Sequence, residues 1–278
     1  MNQLVTINQS EERALAALLG ATAEPAERNF LPILKINLDD EDAAGNPLKK
    51  GQFMLTNQES TVYADKVRIR PLSQMFQWVN YDPEQNKTVN KTIIVPRLNM
   101  EARDEKGGTR CGKPASKVLK ENPDLAKKFK SITCFRYIHC LVNYTGKTAT
   151  GEETVVENAP ALLRLKGVNF SPFEEQVIDK LPKGKKLWDF NVEVSASRKK
   201  NGSVVYYLLG FEPDLGNPLG MDQVTYDTML HIVGMIKDEN ERIESKHRNA
   251  VSNRDVDTAA LKAVEVLDEA DLEADLED

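Results

Sequence analysis

The stretch SITCFRYIHCLVNY, residues 131–144, is the clearest strand signal in the sequence. Apolar, β-branched and aromatic residues dominate it, and it contains neither glycine nor proline. Alternation along a strand puts Phe135, Tyr137 and His139 on one face and Arg136 on the other. We therefore expect a principal strand of a β-rich core that carries both aromatic and cationic side chains.

Further strand signals lie on both sides of this stretch, separated by polar turns. They cover residues 31–38, 53–55, 62–69, 74–81, 92–98, 161–166, 187–195 and 204–211. The last two strands are predicted to form a hairpin, because Asn201-Gly202 between them is a strong turn signal. Residues 101–114 are polar and contain glycine, which indicates a long loop.

Helix signals are fewer. Short helices are expected over residues 10–20, from Asn122 or Asp124 to Lys130, and over residues 171–181. The apolar residues Tyr226, Met229, Leu230, Val233 and Ile236 recur at three- and four-residue spacing, which predicts a long amphipathic helix from Thr225 to about Ala250.

About nine short strands with a few helices indicate a mainly β (α+β) fold. An OB-fold-like β-barrel, whose open face and loops hold single strands, is the candidate architecture, although the strand count alone also allows a sandwich. We expect one domain over residues 1–250, followed by a disordered acidic tail over residues 251–278.

The net charge of −6 is unevenly distributed. Residues 255–278 contain ten acidic residues against Lys262 alone, so they carry −9 and leave residues 1–254 with +3. A polyanion tethered to a basic body is expected to compete with nucleic acid for the same positive surface. A merely solubilising tail is the alternative.

The strongest binding signal is the basic stretch from Lys106 to Lys147, which has ten cationic residues against Glu121 and Asp124. Such charge density suits a phosphate backbone, because binding releases condensed counterions. Interleaved aromatic residues can stack on unpaired bases, although core packing of the same rings is an equal alternative. The candidate contacts here are Arg110, Lys113, Lys117, Lys127, Lys128, Lys130, Phe135, Arg136 and Tyr137.

Two smaller groups add to this stretch. One precedes it and consists of Arg68, Arg70, Phe76 and Trp78. The other is the expected hairpin tip with the returning strand, and consists of Arg198, Lys199, Lys200 and Tyr206. A basic hairpin tip is also common in soluble turns, so this group gains weight only beside the other two.

Zinc binding stays open as an alternative but is not favoured. Cys111, Cys134, His139 and Cys140 supply suitable ligand types, but no CxxC pair exists, and the adjacent His139 and Cys140 point to opposite faces of a strand. Small buried residues are the simpler interpretation of the cysteines. No cofactor is expected.

Other functional classes find little support. The sequence has no P-loop, GxGxxG, HExxH or GxSxG motif, so we do not expect an enzyme. No apolar run is long enough to span a membrane, and the first residues lack the basic start of a signal peptide. Three cysteines are too few for a disulfide framework and indicate a reducing compartment.

With these features assembled, the chain resembles the single-stranded DNA-binding proteins of bacteriophage replication. Three segments carry the resemblance: EVLDEADLEADLED (residues 265–278), GTRCGKPASK with KKFKSITCFRYIHCLV (108–117 and 127–142), and LLRLKGVNFSPFEEQ (162–176). The sequence departs from some of those proteins in ending on Glu277-Asp278 rather than on an aromatic residue, and in lacking a recognisable zinc-ligand set.

The resemblance implies an OB-fold and a protein that protects and organises single-stranded DNA in phage replication and recombination. It also implies that the acidic tail recruits replication proteins such as DNA polymerase or helicase-primase, in the cytoplasm of a bacterial host. The alternative is a protein-interaction or structural module, virion or regulatory, whose acidic tail mimics nucleic acid.

Overall fold

The computed structural model describes residues 31–56, 60–114 and 116–274. Within these residues the chain is mainly β, with nine strands in one mixed sheet and four α-helices. The strands are β1 (Ile33–Ile36), β2 (Phe53–Thr56), β3 (Thr61–Ala64), β4 (Lys66–Asp82), β5 (Lys87–Lys91), β6 (Ile132–Thr148), β7 (Glu153–Leu165), β8 (Val192–Asn201) and β9 (Val204–Pro213). The helices are α1 (Ser116–Glu121), α2 (Pro123–Lys128), α3 (Pro172–Gln176) and α4 (Gln223–Ala274).

Strand β6 organises the sheet because it is paired on both sides. β7 runs antiparallel to it from Arg136 to Lys147, and β4 runs antiparallel on its other side from Ile132 to Asn143. Strand β3, separated from β4 only by Asp65, continues that second side at the end of β6. The strand predicted from residues 131–144 is confirmed.

Five of the strands close a cycle of pairings, in the order β3, β2, β1, β7, β6 and back to β3. The β1–β7 pair is parallel and the other four pairs are antiparallel. A closed ring with an odd number of strands requires at least one parallel pair. The hairpin of β8 and β9 and the short β5 pair with β4 outside this cycle.

The hydrophobic core has two parts. The larger is built from the cycle, from β8 and β9, and from Phe173 on α3, whose ring meets Phe211 edge-on at 5.2 Å. The smaller lies at the other end of β4 and β6, where Phe76, Trp78 and Ile132 pack with Val95 and Ala102.

Several predicted elements differ in extent. Residues 92–98 form only isolated bridges, at Thr92 and Val95, while the neighbouring strand is β5, before them. β7 begins at Glu153, eight residues before the predicted start, because its partner β6 supplies a hydrogen-bonding edge that local propensity does not reveal. The predicted hairpin is confirmed, with Gly202 at positive φ in its turn. The helix predicted over residues 10–20 lies outside the described residues.

The long helix begins as predicted but continues past the predicted end near Ala250. α4 reaches Ala274, so the backbone of the acid-rich segment is helical up to that residue, where a disordered tail was expected. The segment is rich in alanine, leucine and glutamate, which have high helix propensity, and this outweighs the repulsion between like charges. Among the described residues, no helix is long and apolar enough to cross a membrane.

A buried arginine joins the start of α4 to the sheet. Arg70 on β4 donates to the carbonyl oxygens of Trp188 and Gly220, to the Thr225 hydroxyl and to the Asp222 carboxylate, at 2.5 to 2.8 Å. Asp222 also caps the helix by accepting from the Thr225 amide at 2.8 Å. Hydrogen bonds from Thr225 hold the pKa of the Asp222 carboxyl below its usual value, and Arg70 adds to this effect.

Arg70 was predicted from the sequence to contact nucleic acid, and this assignment is corrected. Only 6% of the residue is exposed, and its donors are satisfied within the chain. Its neighbour Arg68, two residues earlier on the same strand, is exposed beside Glu193 of β8.

Replacing Arg70 tests this role in folding. Arg70→Met removes bonds to two carbonyl oxygens and to the helix cap, so we expect the free energy of unfolding to fall by about 2–3 kcal/mol in urea titrations. Arg68→Met is the matched control and is expected to change it by no more than about 0.5 kcal/mol. Equal losses in the two variants would contradict the anchoring role.

Candidate nucleic-acid interface

The aromatic residues predicted to stack on bases are mostly buried. Phe76 and Trp78 are 3% and 7% exposed and form the smaller core. Both assignments are corrected, because a base cannot stack on a ring whose faces are already packed. Aromatic residues near basic ones occur in the sequence of a core strand as well as in that of a stacking platform.

Arg136 was also predicted to contact nucleic acid, and this assignment is corrected because the residue is buried. Its guanidinium lies between two rings, 5.2 Å from the centroid of Phe76 and 4.8 Å from that of Phe170. It donates to the side chains of Gln74 and Glu174, and 3% of the residue is exposed. This arginine neutralises its charge inside the protein and is not available to a phosphate.

Tyr137 is the third corrected aromatic. It is 8% exposed, and its hydroxyl donates to the Gln77 side-chain oxygen at 2.9 Å. Burial raises the pKa of its phenol to about 12, so the hydroxyl stays protonated and keeps donating. Tyr137 therefore positions its neighbours and does not stack on a ligand.

Phe135 remains partly exposed and is flanked by two cations. The Arg164 guanidinium lies 6.0 Å from the centroid of its ring, and the Lys166 ammonium lies 5.6 Å from it. The β6–β7 register produces this arrangement, since Tyr137 is paired with Arg164 and Phe135 lies two residues before Tyr137. The Tyr137 ring also contacts Phe135, with centroids 6.0 Å apart.

Arg164 and Lys166 were not among the residues singled out in the sequence. Both are exposed, and among the described residues neither forms an ion pair. The sequence does show the alternation that is typical of a strand here, since the buried residues Leu163 and Leu165 alternate with Arg164 and Lys166. The pairing partner that brings them beside Phe135 could not be read from that period.

Some of the cationic side chains before β6 are held by contacts within the protein, and others are exposed to solvent. Arg110 lies over the Trp78 ring at 5.4 Å, and Lys113 donates to the carbonyl oxygen of Ile132, where burial lowers its pKa. Lys127, Lys128 and Lys130 are exposed at the end of α2 or just beyond it, and Lys127 pairs with Asp124 at 2.9 Å. The side chain of Lys117 lies outside the described residues.

The hairpin tip is solvent-exposed as predicted. Arg198, Lys199 and Lys200 are exposed on β8, and pairing puts Tyr206 of β9 opposite Lys199 on one face. Tyr207 points to the other face and packs on Gly51, where an added Cβ would meet its ring at 2.3 Å. A half-buried Tyr206 beside Lys199 is therefore the aromatic–cation pair of this hairpin.

The predicted groups do not merge into one cleft. Arg68 pairs with Asn143 in the β4–β6 ladder, and Asn143 and Phe135 are eight residues apart on β6, so Arg68 and Phe135 lie on the same face. Eight residues of a strand span about 26 Å. Arg70, between them, is covered by the start of α4.

The residues considered for zinc do not converge. Among the described residues, no group of three or more histidine, cysteine, aspartate or glutamate side chains is placed to hold a metal ion. Burial raises the pKa values of the Cys111, Cys134 and Cys140 thiols to about 12, which disfavours the thiolate form that zinc requires. His139 forms a 2.7 Å hydrogen bond with Ser73 instead.

His139 is expected to make stability depend on pH. Burial lowers its pKa to about 4, whereas an unfolded histidine titrates near 6.5. Below pH 6.5 the unfolded chain therefore takes up a proton that the folded chain does not, and stability present above pH 6.5 is lost as the pH falls towards 4. Between pH 7 and pH 5 this loss amounts to about 2 kcal/mol.

Urea unfolding at several pH values measures this effect. His139→Asn is expected to reduce the pH dependence of the unfolding free energy between pH 7 and 5, whatever its effect at pH 7. The control His231→Gln removes an exposed histidine and is expected to keep the parent slope. An unchanged slope in His139→Asn would show that other groups cause the acid sensitivity.

Comparisons with protein-family models, curated proteins and solved structures gave no match. The function is therefore inferred from the residues and geometry of the chain itself.

Proposed function

We propose that this chain binds single-stranded DNA, and that it protects and organises the strand during phage DNA replication or recombination. The observation that carries the proposal is Phe135, a partly exposed ring on β6 with Arg164 and Lys166 beside it. A ring can stack on any unpaired base, and neighbouring cations can contact the phosphates on either side.

The sheet supports the same proposal. A closed cycle of five strands is compatible with the OB-fold-like barrel expected from the sequence, and OB-folds bind single strands across exposed strands and loops. Lys128 and Lys130, which precede β6, add basic surface available to a backbone, and the hairpin cations Arg198 and Lys199 form a separate basic surface. In this proposal they act as phosphate contacts without base preference.

Binding is measured by fluorescence anisotropy with a labelled oligo(dT) and with a duplex of matched length, across salt concentrations. We expect preference for the single strand, and Phe135→Ala to weaken its binding by about tenfold, because one stacked base is lost. The charge reversal Arg164→Glu with Lys166→Glu is expected to weaken binding further and to make the salt dependence shallower by about 1.5 units of log–log slope.

The matched control is Lys183→Glu with Lys185→Glu, which makes the same charge change at two exposed lysines before β8. We expect it to alter affinity much less than the reversal beside Phe135. The proposed interface would be contradicted if Phe135→Ala and the double reversal at Arg164 and Lys166, like the control, bound the single strand with the affinity of the parent chain. Salt-independent or absent binding by the parent protein would favour the protein-interaction alternative.

The acidic segment has a proposed role as competitor and recruiter. Residues 255–278 carry −9 against +3 for the preceding part of the chain. In this proposal the acidic end of α4 leaves its helical form and competes with DNA at the effective concentration of a tethered ligand. When DNA occupies the positive surface, the segment is released to bind basic surfaces of replication proteins such as a polymerase or helicase-primase.

Deleting residues 255–278 is expected to tighten single-strand binding by about tenfold at low salt, with the gain shrinking as salt screens the attraction. A full-length variant with all ten acids of the segment replaced by amides separates charge from length and is expected to behave like the deletion. Parent affinity at low salt in both variants would show that the segment does not visit the binding surface.

A further inference from the structure

The most deeply buried residues described on helix α4 lie on one face of it. Thr225, Ile232 and Ile243 are 0 to 3% exposed and lie on that face. Farther along, Asn240 accepts from the Ile94 amide at 2.7 Å, and Glu239 pairs with Lys91. These contacts fix which side of the helix faces away from the sheet.

The outward side carries an apolar stripe. Tyr226, Leu230 and Val233 are 49%, 54% and 60% exposed, and their spacing of four and then three residues places them in one row roughly opposite Ile232. Single exposed apolar residues are ordinary, whereas a contiguous row of three large ones is typical of an interaction surface.

Gly234 lies within this stripe, in the interior of the helix. A glycine at an exposed helical position makes the helix less stable than an alanine would. A Cβ added there would meet nothing within 4 Å, so no packing within the described chain explains the glycine. Close approach of another backbone from outside would explain it.

The charges along the stripe are self-complementary. Asp227 and Lys237 are both exposed and are equally far from residue 232, one on each side. Leu230 and Gly234 are likewise two residues either side of that position. In an antiparallel pair of α4 helices with a two-fold axis at residue 232, each Asp227 faces the other copy's Lys237, and each Leu230 faces the other copy's Gly234.

We propose that this stripe is the docking site for a second copy of the same chain, through antiparallel pairing of the two α4 helices. The glycine lets the backbones approach and receives the leucine of the other copy, while the two Asp227–Lys237 pairs fix the register and the antiparallel direction. The paired segment is short, so the dissociation constant is on the order of ten micromolar.

The first experiment is sedimentation velocity on the full chain without DNA, at protein concentrations spanning the dissociation constant. A concentration-dependent monomer–dimer equilibrium is expected, and Leu230→Glu is expected to raise the dissociation constant at least tenfold, since it buries a charge in the contact. Val224→Glu is the matched control, because Val224 is 53% exposed on the same helix but lies off the stripe. It is expected to dimerise like the parent chain.

Charge exchange tests the register without depending on how one variant folds. Asp227→Lys and Lys237→Asp each place like charges opposite one another and are expected to weaken self-association by about tenfold. The double exchange restores opposite charges in the two-fold pair and is expected to recover the parent dissociation constant. Mixing the two single variants is expected to give heterodimers in native mass spectrometry, because both contacts are then attractive.

Gly234→Ala distinguishes an effect on the dimer contact from an effect on helix stability. The added methyl group is expected to raise the thermal midpoint of unfolding, because alanine favours the helix, while weakening dimerisation. A parent chain that stays monomeric at all concentrations would overturn the proposal. So would an unchanged equilibrium in Leu230→Glu, or heterodimers no more abundant than either homodimer.

Discussion

The two-sided pairing of β6 is the constraint on which the rest of the structure depends. With β7 on one side and β4 followed by β3 on the other, β6 has no free edge along most of its length. A slip of one residue would move the core side chains of β6 to the opposite face of the sheet, where they would lose their packing partners, so the alternation along β6 is strongly fixed. The pairing register with β6 also fixes which side chains of each neighbouring strand point to each face of the sheet.

Burial of both faces of β6 has an electrostatic consequence. Cationic side chains that project from the centre of the sheet have to be neutralised within the protein, because an unpaired buried charge is costly. Arg136 meets this requirement between two aromatic rings and Glu174, and Arg70 meets it at the start of α4. Basic residues in this chain therefore divide into structural ones in the sheet centre and exposed ones at its periphery.

This division links the fold to the proposed function. Among the described residues, Phe135 combines a partly exposed ring with two exposed cations, Arg164 and Lys166. The helix whose start covers Arg70 presents its apolar stripe to solvent. In our proposals, one long helix thus both limits where a strand of DNA can lie and joins two copies of the chain away from the sheet.

The sequence by itself determined the mainly β character, the strand over residues 131–144, the hairpin at Asn201-Gly202 and the start of the long helix, because each depends on local periodicity or turn chemistry. It also determined the uneven charge. The tertiary structure alone decided that Phe76, Trp78, Tyr137, Arg70 and Arg136 are buried and that Arg164 and Lys166 lie beside Phe135. Aromatic and basic residues interleave in the same way on a core strand and on a binding strand, and only the pairing of distant strands, which no local pattern encodes, separates the two.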